Sequence, residues 1–87
     1  MRKIDYSSNF KRDFKKHGNL DSALIEVLYK LINDEDLPLK YKDHNLTGNW
    51  GGYRECHIKP DLLLIYKKID ENLLQLVRLA SHSELFS

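Results

Sequence analysis

Tyr53-Arg54-Glu55-Cys56-His57-Ile58-Lys59, then Pro60-Asp61, then Leu62-Leu63-Leu64-Ile65-Tyr66-Lys67, is the stretch that decides the fold of this chain. Its first seven residues alternate, so a strand here presents Tyr53, Glu55 and His57 on one face and Arg54, Cys56 and Ile58 on the other. Pro60-Asp61 reads as a turn. The unbroken apolar run that follows predicts a central strand covered on both faces. Asp70-Glu71-Asn72 then supplies a hairpin turn, and residues 73–80 read as the next strand. Residues 81–87 form a short tail that closes on a helical turn.

Upstream the apolar period is helical. Asp21 caps a helix whose positions Leu24, Ile25, Leu28, Leu31 and Ile32 form an apolar stripe. That helix ends in Asn33-Asp34-Glu35-Asp36, and Pro38 prevents its continuation. Before it, Ser7 or Ser8 caps a helix that runs to His17 and stops at Gly18, with Phe10 and Phe14 facing the core. Residues 3–6 read as an edge strand, and residues 37–52, holding Pro38, Gly48, Gly51 and Gly52, as loop with a little extended structure. The order β-α-α-β-β-β predicts an α/β (α+β) fold, two N-terminal helices packed on one face of a small antiparallel sheet, as one domain over residues 1–87.

Composition narrows the function classes. The chain has 87 residues, 41% of them hydrophobic and 31% charged, which predicts a soluble globular domain. No segment approaches the roughly 20 apolar residues that span a bilayer, and Met1-Arg2-Lys3-Ile4-Asp5 lacks the apolar region of a secretory signal. Cys56 is the only cysteine, which excludes an internal disulfide and a cysteine-based zinc cage. A cytoplasmic protein is expected, with no membrane partner. The net charge of +1 does not advertise a nucleic-acid binder, yet Lys11, Arg12, Lys15 and Lys16 cluster on the first helix. Like charges at helical spacing repel, and a polyanion would relieve them, although a solvated helix face would look the same.

His44, His57 and His82 sit at the ends of predicted elements, and Asp61 follows His57 across the turn. Two chemistries suit such a set. Histidine and carboxylate can bind zinc or non-haem iron, but no close histidine pair is present, so that signal is weak. Metal-free acid–base cleavage of RNA also suits them, because an imidazole with a pKa of about 6.5 can take or give a proton near neutrality. Arg54, Arg78 or a protonated histidine could then neutralise charge on the phosphoryl oxygens. Cys56 alternates away from His57 and reads as a structural thiol; His17 reads as a helix-end residue favoured by the dipole. Trp50 and Tyr53 could stack on bases or pack the sheet rim.

Several ordered blocks carry a family resemblance over nearly the whole chain. Tyr41-Lys42-Asp43-His44-Asn45-Leu46-Thr47-Gly48-Asn49-Trp50 looks like the motif Y-K-D-H-x-L-x-G-x-W. Residues 52–61 and Leu64-Ile65-Tyr66 follow in place, and Ser81-His82-Ser83-Glu84-Leu85-Phe86 looks like the closing T/S-H-x-x-L-F. The chain thus resembles the YafQ branch of the RelE superfamily, the toxin halves of type II toxin–antitoxin pairs. The resemblance implies a RelE-like fold with a twisted sheet, ribosome-dependent cleavage of messenger RNA without a cofactor or metal, and a cognate antitoxin through which alone operator DNA would be bound. It carries functional roles onto His44, His57, Asp61, His82 and Phe86: Asp61 as preferred general base, His82 as preferred general acid, His44 and His57 on the phosphate, Phe86 against a nucleotide. Lys11, Arg12, Lys15 and Lys16 become the expected ribosomal RNA contact. Some relatives carry Trp directly after the Asp, where this chain has Leu62, so a stacking contribution of about 1–3 kcal/mol per base is expected to be missing. A non-catalytic, gyrase-binding ParE-like toxin is the alternative on the same scaffold, and the three histidines favour cleavage over it.

Overall fold

In the computed structural model, which describes residues 1–86, the expected caps form. The Ser7 hydroxyl accepts from the Phe10 amide and opens helix α1 (Ser8–His17), and the Asp21 carboxylate accepts from the Leu24 amide and opens α2 (Ser22–Ile32). α1 stops at Gly18, whose φ of −77° is ordinary for any residue. Glycine is required there by crowding: a Cβ at that position would stand 2.2 Å from Cδ1 of Phe14.

Five strands form one sheet: β1 (Lys3–Tyr6), β2 (His44–Asn45), β3 (Arg54–Lys59), β4 (Leu62–Lys68) and β5 (Leu73–Ala80), in the order β1-β5-β4-β3-β2. Strands β2 to β5 pair antiparallel, as expected, whereas β1 runs parallel to β5, from Lys3 beside Leu73 to Tyr6 beside Leu76. The sheet is therefore mixed. A parallel neighbour needs a long intervening crossover, and here α1, α2 and the rest of the sheet intervene between the two strands. The two-residue β2 lies in the segment 37–52, where the sequence implies loop with a little extended structure, and stands between two single 3-10 turns, Leu39–Tyr41 and Gly48–Trp50. A final short helix, α3 (His82–Phe86), leaves the end of β5.

Phe10 of α1 and Leu24, Val27 and Leu31 of α2 pack against Cys56, Ile58, Leu64, Tyr66, Leu74, Leu76 and Leu79 of the sheet. Leu24, Val27, Leu28 and Leu31 follow the spacing of one helical face. Ile25, expected on that stripe, falls at its flank and is 52% exposed. In β4, Leu63, Leu64, Ile65 and Tyr66 are all fully buried, which is the covered central strand that its composition predicts. The ladder slips at two places, between His57 and Lys59 in β3 and between Ile65 and Tyr66 in β4. The first slip adjoins the histidine cluster, where a bulge re-aims side chains at a strand end.

Candidate active site

The site is built from the outer face of β2 and β3 and from the turn that opens α3. His44 lies directly opposite Glu55 across the β2–β3 ladder, and alternation places His57 on the same face as Glu55. Nε2 of His44 stands 3.4 Å and Nε2 of His57 3.6 Å from Oε1 of Glu55. The Lys42 carbonyl can only accept, so His44 donates to it from Nδ1 at 2.7 Å and turns Nε2 toward the carboxylate. Glu55 is 3% exposed, and its Oε2 has no hydrogen-bond partner among the described residues.

His82 joins from the other direction. Ser81 and Glu84 form a reciprocal cap for α3: the Ser81 amide donates to Oε1 of Glu84 at 3.1 Å, and the Glu84 amide donates to the Ser81 hydroxyl at 3.4 Å. Glu84 also pairs with His17 at 2.9 Å and Lys16 at 3.1 Å, which ties α3 to the end of α1. These contacts, led by the Ser81 backbone N–H, hold the Glu84 carboxyl well below its usual range. So fixed, the His82 ring lies 5.5 Å from the His57 ring, centroid to centroid, and the His44 ring lies 6.3 Å from His57. Asp61, on the turn between β3 and β4, accepts the His82 backbone N–H at 3.2 Å and faces Nδ1 of His82 at 3.3 Å. Phe86, half exposed, ends the row with its ring 6.2 Å from that of His82.

His44, His57, His82 and Asp61 thus lie side by side, although 38 positions separate the first from the last. Burial holds the His57 imidazole below its ordinary pKa of 6.5; the Glu55 carboxylate opposes this, and the charges of His82, Lys42 and His44 reinforce it. Ligand atoms of Glu55, His57 and His82 lie within 4.8 Å of one another, so the three could hold a metal ion, and the unpartnered Glu55 oxygen suits a cation.

The other sequence candidates stand elsewhere. Arg54 points to the helix-covered side of β3, where Asp43 holds it at 2.9 Å and Asn45 at 2.6 Å; Tyr66 completes this network through its hydroxyl. Arg78 is held at 2.6 Å and 3.1 Å by the Asp13 carboxylate of α1. Lys11 lies over the Tyr6 ring, Arg12 bonds Asn9, Lys16 is tied to Glu84, and Lys15 is exposed. His17 is engaged by Glu84 rather than by the dipole alone. Trp50 packs edge-on against Tyr53 at 5.6 Å. Cys56 is fully buried among apolar side chains, which pushes its thiol pKa far up. Glu55 is a site residue that the sequence expectations omit, although the alternation of residues 53–59, which puts it on the His57 face, is the signal for it.

Comparison with known proteins places this arrangement in context. Residues 2–87 match the family described as "Bacterial toxin of type II toxin-antitoxin system, YafQ". The chain is 38% identical over 90 residues to "mRNA interferase toxin YafQ" of Escherichia coli (strain K12), covering 99% of this chain and 97% of that protein. Its fold is similar to that of a copper-bound mutant toxin from Helicobacter pylori, with a TM-score of 0.91, 46% identity and coverage of 99% of this chain and 100% of that one. It is also similar to the toxin in an E. coli DinJ-YafQ complex, with a TM-score of 0.83, 40% identity and full coverage of both chains.

Proposed function

This chain belongs to the YafQ family of bacterial toxins, and from that membership we propose how it cuts RNA. It is the toxin of a type II toxin–antitoxin system and an endoribonuclease of the mRNA interferase kind, with a cognate antitoxin as partner. Its substrate is message held on the ribosome, and it works in the cytoplasm; no helix among the described residues is long and apolar enough to cross a membrane.

The observation that carries the mechanism is the unbroken row from His44 through His57 and His82 to Asp61. His57 takes the proton of the ribose 2′-OH: burial keeps it neutral, and Glu55 offsets the positive charge it then gains. The 2′-oxygen attacks the adjacent phosphorus, the P–O5′ bond breaks, and a protonated His82 gives its proton to the departing 5′-oxygen. The products are a 2′,3′-cyclic phosphate and a 5′-hydroxyl. Asp61, the base that the resemblance favours, here faces Nδ1 of His82 and orients that ring, as a carboxylate does for a catalytic imidazole. His44 faces the Glu55 carboxylate from the neighbouring strand and helps to position it beside His57, and Phe86 packs against a base.

Primer extension on message from cells expressing the chain, and cleavage of ribosome-bound message in magnesium buffer by toxin first stripped of bound metal with a chelator and then freed of it, test this. His82→Ala lowers the cleavage rate by about 10²–10³ with folding unchanged, consistent with loss of one acid–base group. Full activity in both His82→Ala and Asp61→Ala removes the assignment. A second reading, a metal-dependent nuclease, is favoured by the Glu55–His57–His82 donor set and by the copper-bound relative. Those three residues would hold the ion, which would act as a Lewis acid. Loss of cleavage by the metal-stripped toxin on intact ribosomes in magnesium buffer, with recovery on adding copper or zinc, selects it.

A further inference from the structure

Beside the imidazole row lies a cavity of about 490 Å³ lined by Lys40, Lys42 and Lys59 together with His57 and His82. Transfer of a phosphoryl group needs a cation aimed at the oxygens on which charge develops. Neither Arg54 nor Arg78 lines this cavity, and each guanidinium is engaged by an aspartate. Nor does any of Lys11, Arg12, Lys15 or Lys16 line it.

The three lysines differ. Lys59 is paired with Asp21 at 3.0 Å, and Lys40 stands 3.9 Å from Glu26 and over the Tyr41 ring. Lys42 has no carboxylate within ion-pair distance among the described residues. Its backbone is pinned on both sides: Tyr41 is buried with its hydroxyl bonded to Glu26, and Asp43 grips Arg54 and Tyr66. Its own carbonyl accepts from His44, and its φ of 50° swings the chain sharply at this point. An exposed ammonium on a fixed backbone, beside the reactive imidazoles, is suited to meeting an anion there. Its charge already reaches His57.

We propose that the cavity takes the phosphodiester backbone of single-stranded RNA, with Lys42 holding the scissile phosphate and Lys40 and Lys59 the phosphates on either side. This rests on the ribonuclease reading above and names the cation that reading lacks. The negative charge of the substrate is thereby met at the end of the sheet, between the start of α2 and the 3-10 turn at Leu39–Tyr41.

Two measurements test it. Titration of the wild-type protein with a 2′-O-methyl trinucleotide, which cannot be cleaved, shifts the amide resonances of residues 40–42 and 57–59, and Lys42→Gln weakens that binding about tenfold. Shifts confined to residues 11–16 overturn the proposal. In single-turnover cleavage of ribosome-bound message, Lys42→Gln is slower by at least 30-fold at saturating ribosomes. Its half-saturating concentration stays within threefold of wild type, and Lys42→Arg recovers to within fivefold. Lys3→Gln, on the opposite edge strand, cleaves at the wild-type rate. Wild-type cleavage with an equally fast Lys42→Gln overturns the role of the lysine alone, whereas a wild-type chain that leaves message intact overturns the ribonuclease reading beneath it.

Discussion

Asp13→Asn separates an arginine that braces the fold from one that reads RNA. Asp13 is a buried residue of α1, and its carboxylate accepts two bonds from Arg78, at 2.6 Å and 3.1 Å, and one from the Leu79 amide at 3.0 Å. The pairing raises the Arg78 pKa further, so the guanidinium stays charged at any working pH. An asparagine keeps the shape and one acceptor but leaves that charge unpaired. Hydrogen bonds to charged groups contribute about 1.5–3 kcal/mol each, and loss of one partner of a buried pair costs about 3–5 kcal/mol. The Arg78 side chain is 25% exposed and that of Asp13 11%, so water screens part of this and about 2 kcal/mol remains. For a domain of this size, with a urea m-value near 1 kcal/mol/M, the unfolding midpoint falls by about 2 M and Tm by about 10 °C. Arg78→Met lowers the midpoint similarly, and the double variant costs less than the sum. A midpoint in Arg78→Met that moves by less than about 0.3 M, together with weakened RNA binding, would refute the bracing role.

Four further outcomes follow from the same geometry. His57 titrates below 6.5 in the folded protein, so its neutral form contributes stability that is complete above 6.5 and lost as the pH falls through its folded value; urea midpoints that rise on acidification would contradict this. Because Glu55 opposes the lowering, Glu55→Gln moves the His57 imidazole resonance, and the acidic limb of the cleavage profile, to lower pH still. Gly18→Ala drives a Cβ into the Phe14 ring and costs about 1–3 kcal/mol in denaturant unfolding, although its φ suits alanine. Cys56 stays unreactive toward a disulfide reagent until the protein unfolds; rapid labelling of the native chain would show the core to be open.

Features that depend on neighbours in sequence were readable before the fold was seen. Ser7 and Asp21 announce their helices because a cap needs only a side-chain acceptor three residues before its amide. The alternation of residues 53–59 and the apolar run after it assign β3 and β4 for the same local reason. Partners across the fold left no such mark. Nothing in Lys3-Ile4-Asp5-Tyr6 says that its neighbour is β5, or that the pairing is parallel. Arg54 and Arg78 look like free cations in sequence because Asp43 and Asp13, which engage them, lie 11 and 65 positions away. Lys42 is invisible for a related reason, since its backbone acquires meaning only once Tyr41 and Asp43 are anchored to other elements.

The parallel pairing of β1 with β5 has a consequence for biosynthesis. A polypeptide emerging from its ribosome presents residues 3–6 about 70 residues before residues 73–76, beside which they must lie. α1 and α2 are complete first, but the central sheet cannot close until β5 is available, and α3, bearing His82 and Phe86, follows it. The row of imidazoles on β2, β3 and the turn after β5 therefore assembles only once strands made far apart in time have met in one sheet.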